Sequence, residues 1–376
     1  MLASIRLKYW PIGGRSIARD VFRICVICFR LKPVVVQPIM GDLPTDRVEP
    51  VPRAFYKCGV DLAGPIMIRT SLLRRSQHVK GYIVIFVCFV TRAVHIELVS
   101  NLSTKAFLNA LNRFFDRRGK SHTIYSDNAT NFVGAQRHLK EVYDLFYSKE
   151  HQDAINTELS KHGVQWRFIP ARSPHFGGLW ERAVRSMKNL LYKVMGESYL
   201  TYEELTTVLT RAEACLNSRP ITPLSNEPFD LSYLSPGHFL IGDSLMAVPE
   251  PESNTKQLNR LDRWQRVTQL SLNLWKRRSK EYLGHLQERV KWAKEKGPRL
   301  NVGTVVLLRD DNLPPLKWSI GRIVSVREGR DGVVRSAFVR AVNGEYERAV
   351  RQLCLLPFEG NNSSPEVFIP VVSPNL

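Results

Sequence analysis

The segment Tyr82 to Val90 is built only from Tyr, Ile, Val, Phe and Cys, and it sets the first limit on the fold. A bilayer crossing takes about 20 consecutive apolar residues, so this run is too short for one and reads as a buried strand. It belongs to a β-branched and aromatic stretch from His78 to Thr91. Arg92 to Val99 follows as a further strand, and the tight Thr91-Arg92 connection predicts an antiparallel pair. Tyr56 to Leu62 forms a strand ahead of this pair, and His122 to Ser126 and Val164 to Ile169 form strands after it.

Helical patterns alternate with the later strands. Ser103 is a candidate N-cap for a helix that places Phe107, Leu108, Leu111, Phe114 and Phe115 on one side, and Gly119 is its stop signal. A helix is expected from about Val133 to Tyr147, then a polar, helix-prone insert from about Lys149 to His162. The loop Pro170 to Gly178 leads into a helix over Leu179 to Met195. Tyr202 to Asn217 is one more, ended by Arg219-Pro220. This succession implies a mixed α/β sandwich around a central sheet.

A chain of 376 residues exceeds one typical core, so several domains are expected. Residues 1–47 hold an amphipathic stretch, Ser16 to Phe29, followed by a Pro-bearing linker. Residues 48–236 carry the α/β pattern. In 254–297 Leu258, Leu261, Trp264, Val267, Leu270 and Leu274 recur at helical spacing. Residues 298–358 hold short strands with hairpin signals at Asp331-Gly332 and Asn343-Gly344, the pattern of a small β-barrel of about five strands. The tail 359–376 is rich in Asn, Ser and Pro and is expected to be disordered.

Charge narrows the class of partner. The chain has 54 Lys and Arg against 35 Asp and Glu, a formal net charge of +19. Residues 258–351 hold 21 of those cations and only 10 acids, so more than half of the excess sits in the helix and barrel region. A surplus of this size favours polyanions, nucleic acid above all, over a basic protein that is merely soluble. Six cysteines are scattered at 25, 28, 58, 88, 215 and 354, which argues against a disulfide framework and for a reducing compartment. No secretory leader is evident after Met1, so the chain reads as soluble and intracellular.

Three carboxylates stand in distinctive settings: Asp61 in Gly-Val-Asp-Leu-Ala-Gly-Pro, Asp127 in Tyr-Ser-Asp-Asn-Ala-Thr-Asn-Phe, and Glu181 in Gly-Gly-Leu-Trp-Glu-Arg. Acids at strand ends and on an adjacent helix can converge, and such a cluster needs a cation. Hard oxygen donors suit Mg²⁺ or Mn²⁺, and two such ions about 4 Å apart serve in-line chemistry on phosphodiesters. A lone Asp after a strand is more often a turn or cap residue. Here the flanking blocks single these residues out; Glu141 and Glu158 compete with Glu181 only as surface helix charges.

These three blocks, in this order, resemble the integrase of BEL/Pao long-terminal-repeat retrotransposons, relatives of retroviral integrases, from residue 1 to about residue 357. The resemblance implies an RNase H-like catalytic core, a small SH3-like barrel and a DDE polynucleotidyl transferase. Such an enzyme processes 3′ ends and joins element DNA to a target. In that scheme Asp61 would bridge two divalent metals, Asp127 would hold one and Glu181 the other. The 53 residues between Asp127 and Glu181 exceed the retroviral spacing, and the insert near 148–162 is expected to account for the difference.

Further roles follow from the same resemblance. Arg185 and Lys188 share a helix face with Glu181, at positions from which integrases meet the DNA end; a solvated basic stripe is the plain alternative. Asn131 is expected to order the site or touch substrate. His175 with Gly177-Gly178 would form either a mobile loop or a tight turn. Arg322 lies on a barrel strand expected to meet DNA, and His95 is expected to be structural. Cys25 and Cys28 match the Cys pair of a His-His-Cys-Cys zinc module, but no His precedes them, and two thiolates do not complete tetrahedral Zn²⁺. Either the chain is a fragment of a longer polyprotein or the zinc site has decayed. Duplex DNA, a homo-oligomer and a nuclear location with a cytoplasmic phase complete the expectation. A hydrolysis-only nuclease of the same fold and a non-catalytic DNA-binding remnant are the alternatives.

Overall fold

The computed structural model describes residues 5–6, 9, 11–25, 44–73, 75–126, 149–161, 163–168, 174–195, 199–225, 227, 229–247, 262–287, 300–310, 313–329 and 334–356. Cys28, Asp127 and Asn131 lie outside these residues. So do the helix expected over Val133 to Tyr147, the Asp331-Gly332 turn and the tail. Residues 1–45 make one compact unit and residues 46–376 another. In the first, helix α1 (Gly14–Ile24) ends at Cys25, whose N–H donates to the Val21 carbonyl at 3.0 Å.

The second unit is organised by β1 (Lys57–Arg69), β2 (His78–Cys88), β3 (Val94–Val99), α2 (Thr104–Arg118), β4 (Thr123–Ser126), α3 (Lys149–Lys161), β5 (Gln165–Phe168), α4 (Pro174–Met195), β6 (Leu200–Thr201) and α5 (Tyr202–Asn217). The sheet order is β3-β2-β1-β4-β5, with β6 paired to β1. β2 runs antiparallel to β1 and β3, whereas β4 is parallel to β1 and β5. This order and these directions are those of an RNase H-like core.

Local chemistry explains the elements. Ser103 Oγ accepts from the Ala106 N–H, and Gly119 closes α2 with φ 79°. Thr201 and Glu204 make a reciprocal capping box at the start of α5. Strand β1 runs beyond its expected end at Leu62 because the chain turns a bulge at Gly64-Pro65, where the pairing with β2 shifts register. Gly64 has φ 144°, and a Cβ there would lie 2.8 Å from Tyr82 Cδ1, so this site requires glycine.

Both faces of the sheet are covered. On one, α2 and α3 bury Phe107, Phe114, Ile155 and Leu159 against Val60, Val84 and Phe86. Phe86 and Phe114 stack at 4.0 Å. The segment Lys149 to Lys161 is therefore not a polar insert: Ile155 and Leu159, one turn apart, make it a core helix crossing between the parallel strands β4 and β5. On the other face, α4 and α5 bury Trp180, Met187, Leu190, Leu205 and Leu209 against Ile83, Ile85 and Val87.

Helix α6 (Arg263–Leu286) is capped by Asp262 and Gln265 and joins this second face through Val267, Leu270 and Leu274. Trp264 stays 65% exposed, so it does not belong to the apolar stripe in which its spacing had placed it. A two-stranded ribbon, β7 (Thr222–Pro223) with β8 (Tyr233–Leu234), follows α5. The C-terminal sheet contains β9 (Val305–Leu308), β10 (Ser319–Glu328), β11 (Val334–Ala341), β12 (Gly344–Ala349) and β13 (Leu353–Leu355). It is antiparallel in the order β12-β11-β10-β9-β13, an SH3-like arrangement. Trp275 of α6 meets Trp318 edge-on at 5.0 Å, so helix and sheet share a core.

Candidate active site

Asp61 is the fifth residue of β1, opposite Ile85 of β2, and not at a strand end as its sequence suggested. It is partly buried, and its Oδ1 accepts from the Leu62 N–H at 2.7 Å. Side chains alternate along a strand, so Gly59, Asp61 and Ala63 share a face. Ala63 packs in the cluster with α4 and α5, which identifies the face as theirs.

The three sequence blocks meet through their neighbours on that face. Gly59, two residues before Asp61, is the Cα partner of Tyr125, two residues before Asp127. The last pair of this ladder is Val60 with Ser126, so the residues that follow it in sequence are Asp61 and Asp127. Phe89 stacks on Tyr125 at 4.9 Å and on Trp180 at 5.8 Å. Trp180 is fully buried and lies so close to Gly59 that a Cβ there would sit 2.1 Å from its Cε3. Glu181 is the next residue of α4. Gly59, Tyr125 and Trp180 thus form one packed group, each within two residues of a candidate carboxylate.

Helix α4 begins at Pro174, so His175 and Gly177-Gly178 lie within its first turns rather than in a loop. Pro at the first helical position lacks only an N–H that has no partner there anyway, and this outweighs the glycines. Positions 181, 185 and 188 follow one side of the helix beside its buried seam of Trp180, Val184 and Met187. Arg185 is exposed and Lys188 partly so. Among the described residues no three His, Cys, Asp or Glu side chains are arranged to hold a metal ion. Asp127 and the side chain of Glu181 lie outside that description.

Charges support the lower end of the group. Asp46 Oδ2 accepts from the Tyr125 hydroxyl, and Lys57 Nζ bridges Asp46 and Glu49, the latter at 2.7 Å. Burial works to raise the Asp46 pKa, but the Lys57 and Tyr125 hydrogen bonds outweigh it and hold it below the usual value. Tyr125 is pushed up by burial and by Asp46. Trp180 Nε1 is buried without a hydrogen-bond partner among the described residues.

Two other sequence candidates have structural settings. Arg322, expected to meet DNA, turns back: its guanidinium donates to the Gly303 carbonyl at 2.9 Å and to those of Glu227 and Asp230 at 2.7 and 3.3 Å. His95 is buried between Glu97, 3.1 Å from Nε2, and Glu213, 3.5 Å from Nδ1. The helix salt bridges that complete this network were not visible in the sequence, because they join separate elements, with 16 positions between Arg113 and Glu97 and 95 between Arg118 and Glu213, the latter pair at 2.6 Å.

Residues 262–356 match a family model described as a family of unknown function (DUF5641). No curated protein sequence matches the chain. Among solved structures, the chain is similar to one titled as a simian T-cell lymphotropic virus intasome in complex with the PP2A regulatory subunit B56 gamma. The TM-score is 0.36, with 12% identity and 96% of each chain covered. It is also similar to the HTLV-2 integrase catalytic core domain in complex with magnesium, in its dimeric and trimeric forms. TM-scores are 0.29 and 0.30 at 17% identity, covering 44% and 46% of this chain and 88% and 92% of those.

Proposed function

We propose that this chain is a DDE polynucleotidyl transferase of the integrase type, related to BEL/Pao retrotransposon integrases, that joins DNA ends to a target duplex. The observation that carries the reading is the packed group Gly59, Tyr125 and Trp180, which gathers the three blocks bearing Asp61, Asp127 and Glu181 on one face of the sheet. A glycine on the strand that bears Asp61 is then a requirement of the tryptophan ahead of Glu181.

The donor set fits a hard divalent cation: carboxylate oxygens, one of them on a rigid central strand and held by a backbone N–H. Asp61, Asp127 and Glu181 would hold Mg²⁺ or Mn²⁺. When bound, the ions supply a lowered pKa for the attacking water or 3′-hydroxyl and charge stabilisation at the leaving oxygen. The protein's own part is positioning. β1 fixes Asp61, the Trp180 contact fixes the register of α4 on the sheet, and Arg185 and Lys188 offer cations to the phosphates on the same side of that helix. Zn²⁺ at Cys25 and Cys28 belongs to this reading only with two further ligands. Joining two DNA ends requires a homo-oligomer, and a nuclear substrate requires the chain to reach the nucleus after a cytoplasmic phase.

Asp127→Asn removes one ligand charge with little change of shape. It is expected to abolish Mg²⁺-dependent joining of a labelled DNA end to a plasmid while the circular dichroism spectrum and melting temperature hold. Joining at the wild-type rate would remove the metal assignment. Cleavage without joining by the wild type would instead identify a hydrolytic nuclease.

A further inference from the structure

A second charged group lies at the end of the sheet where β2 turns into β3. Arg92 occupies that turn with φ 59°. Its carbonyl accepts from Arg219 Nη2 at 2.8 Å, and Arg219 Nη1 donates to the Leu216 carbonyl at the end of α5. The next residue, Pro220, accepts from the hydroxyl of Tyr282 on α6, and the Arg278 guanidinium lies 5.7 Å over that same tyrosine ring. The stacking of Phe89 on Trp180 brings the 89–92 turn under the first turns of α4, where Arg182 stands exposed. Four arginines from the β2–β3 turn, α4, the end of α5 and α6 therefore share one locality.

None of the four is paired with a carboxylate among the described residues. Glu281 acts on Arg278 through its charge but makes its ion pairs with Arg277 at 3.1 Å and Lys193 at 3.7 Å. Arg278 Nε is buried with no hydrogen-bond partner among the described residues. Burial, together with the Arg278 and Arg92 charges, pushes the Arg219 pKa down to about 10. Burial also lowers Arg278 and Arg92: at Arg278 the Tyr282 and Glu281 charges oppose it and Arg182 adds to it, and at Arg92 the Arg47 and Arg182 charges add to it. Gathering like charges without an anion is unfavourable, and a fold retains such a group where a ligand supplies the missing charge.

We propose that Arg92, Arg182, Arg219 and Arg278 form a phosphate-binding site for the DNA backbone, on the sheet face that carries Asp61, with α6 supplying one wall. The inference rests on the polynucleotidyl transferase reading and extends it: the region matched to the family of unknown function contributes directly to the core's substrate path. Planar guanidinium groups suit phosphate oxygens, which they can meet with paired hydrogen bonds. A row of acids repels a polyanion, so cations beside it hold the backbone within reach. Arg219 serves as the scaffold of the group, since both its Nη atoms are committed to carbonyls.

The test is fluorescence anisotropy of a 20-base-pair duplex of arbitrary sequence, titrated with the full chain across a KCl series. Arg278→Gln and Arg182→Gln are each expected to flatten the slope of log affinity against log salt by about 0.9 and to weaken binding about tenfold. Lys105→Gln, the same charge change on the opposite face of the sheet, is expected to leave the slope unchanged. Wild-type binding with unaltered slopes in both arginine variants would overturn the site alone. No binding of the duplex by the wild type would overturn the transferase reading as well. Thermal melting without DNA separates a scaffold role: Arg278→Gln is expected to melt at or above the wild-type temperature, and a fall of several degrees with an unchanged slope would overturn the proposal.

Discussion

Two clusters of charge, one at the β3 edge and one at the β2–β3 turn, are built on opposite terms. At the edge, His95, Glu97 and Glu213 are closed by Arg113 at 2.7 Å, Arg117 at 3.0 Å and Arg118 at 2.6 Å. Glu213 also accepts from the Ile96 N–H at 2.8 Å. Every charge there has an opposite charge within the protein. At the turn, Arg92, Arg182, Arg219 and Arg278 have carbonyls, a ring and one another, and the one acid that acts on them among the described residues, Glu281, makes its ion pairs with Arg277 and Lys193. A closed group holds the fold together, whereas an open one is costly to the empty protein and useful to a ligand. Burial of charge alone therefore does not separate scaffold from site; the presence of the counter-charge does.

The largest effect expected from this contrast is on stability. Glu213→Ala leaves Arg118 and the Ile96 N–H without their acceptor in a buried setting and is expected to cost about 3–5 kcal/mol. Urea denaturation measures it. Arg278→Gln, by the same assay, is expected to cost nothing. Equal losses in the two variants would erase the distinction between closed and open groups.

Next comes the contact that joins the sequence blocks. Gly59→Val forces a side chain into the space of Trp180 Cε3, and overpacking of this kind costs about 1–3 kcal/mol. Because Trp180 precedes Glu181, DNA joining is expected to fall more than tenfold even where the protein remains folded. Gly59→Ala combined with Trp180→Leu is expected to be less destabilising than the sum of the singles, since the two residues touch. Strict additivity of the two would show that the contact does not set the helix on the sheet.

Much of this architecture is legible in the sequence, and the failures have physical causes. The α2 caps Ser103 and Gly119 and the bounds of α5 were readable because capping chemistry is local. Gly177-Gly178 read as a loop because glycine disfavours helix; Pro174 and the burial of Trp180 override that weak preference. Lys149 to Lys161 read as an insert because only Ile155 and Leu159 make its apolar stripe. The carboxylates were legible as motifs. That Gly59 exists for Trp180, and that Arg322 turns inward to carbonyls of residues 227 and 230, depends on contacts no local pattern records.

A smaller effect is expected from pH. Burial works to lower the His95 pKa, but Glu213 and Glu97 outweigh it and raise it above its ordinary 6.5, with Arg118 opposing. A raised pKa means that the folded state favours the charged ring. That stability is fully present below pH 6.5 and is lost as pH rises through the folded value. Glu97 is the reverse case: burial works to raise its pKa, but His95 and Arg113 outweigh it and hold it below 4.5. Its contribution is present above that value and lost as pH falls through the folded pKa. The urea midpoint is therefore expected to peak between these limits and to decline on the alkaline side, and His95→Gln is expected to flatten that decline. The arginine group stays charged throughout this range, so Arg278→Gln is expected to leave the profile unchanged.

The smallest effect tests whether pairing matters wherever it occurs. Arg327 and Glu347 are paired at 3.2 Å on the C-terminal sheet, but their side chains are 67% and 38% exposed. Water already solvates both charges there, so breaking the pair exposes no unmet demand. Arg327→Gln is expected to change stability by less than about 1 kcal/mol and to lose even that at high salt. The same substitution is expected to leave joining unchanged unless the sheet itself carries DNA, in which case the salt slope of binding falls while stability stays put. Measuring both on one variant separates the two uses of a surface arginine. A loss comparable to that of Glu213→Ala would mean that exposure does not discount a paired charge, and the contrast between closed and open groups would then lose its physical basis.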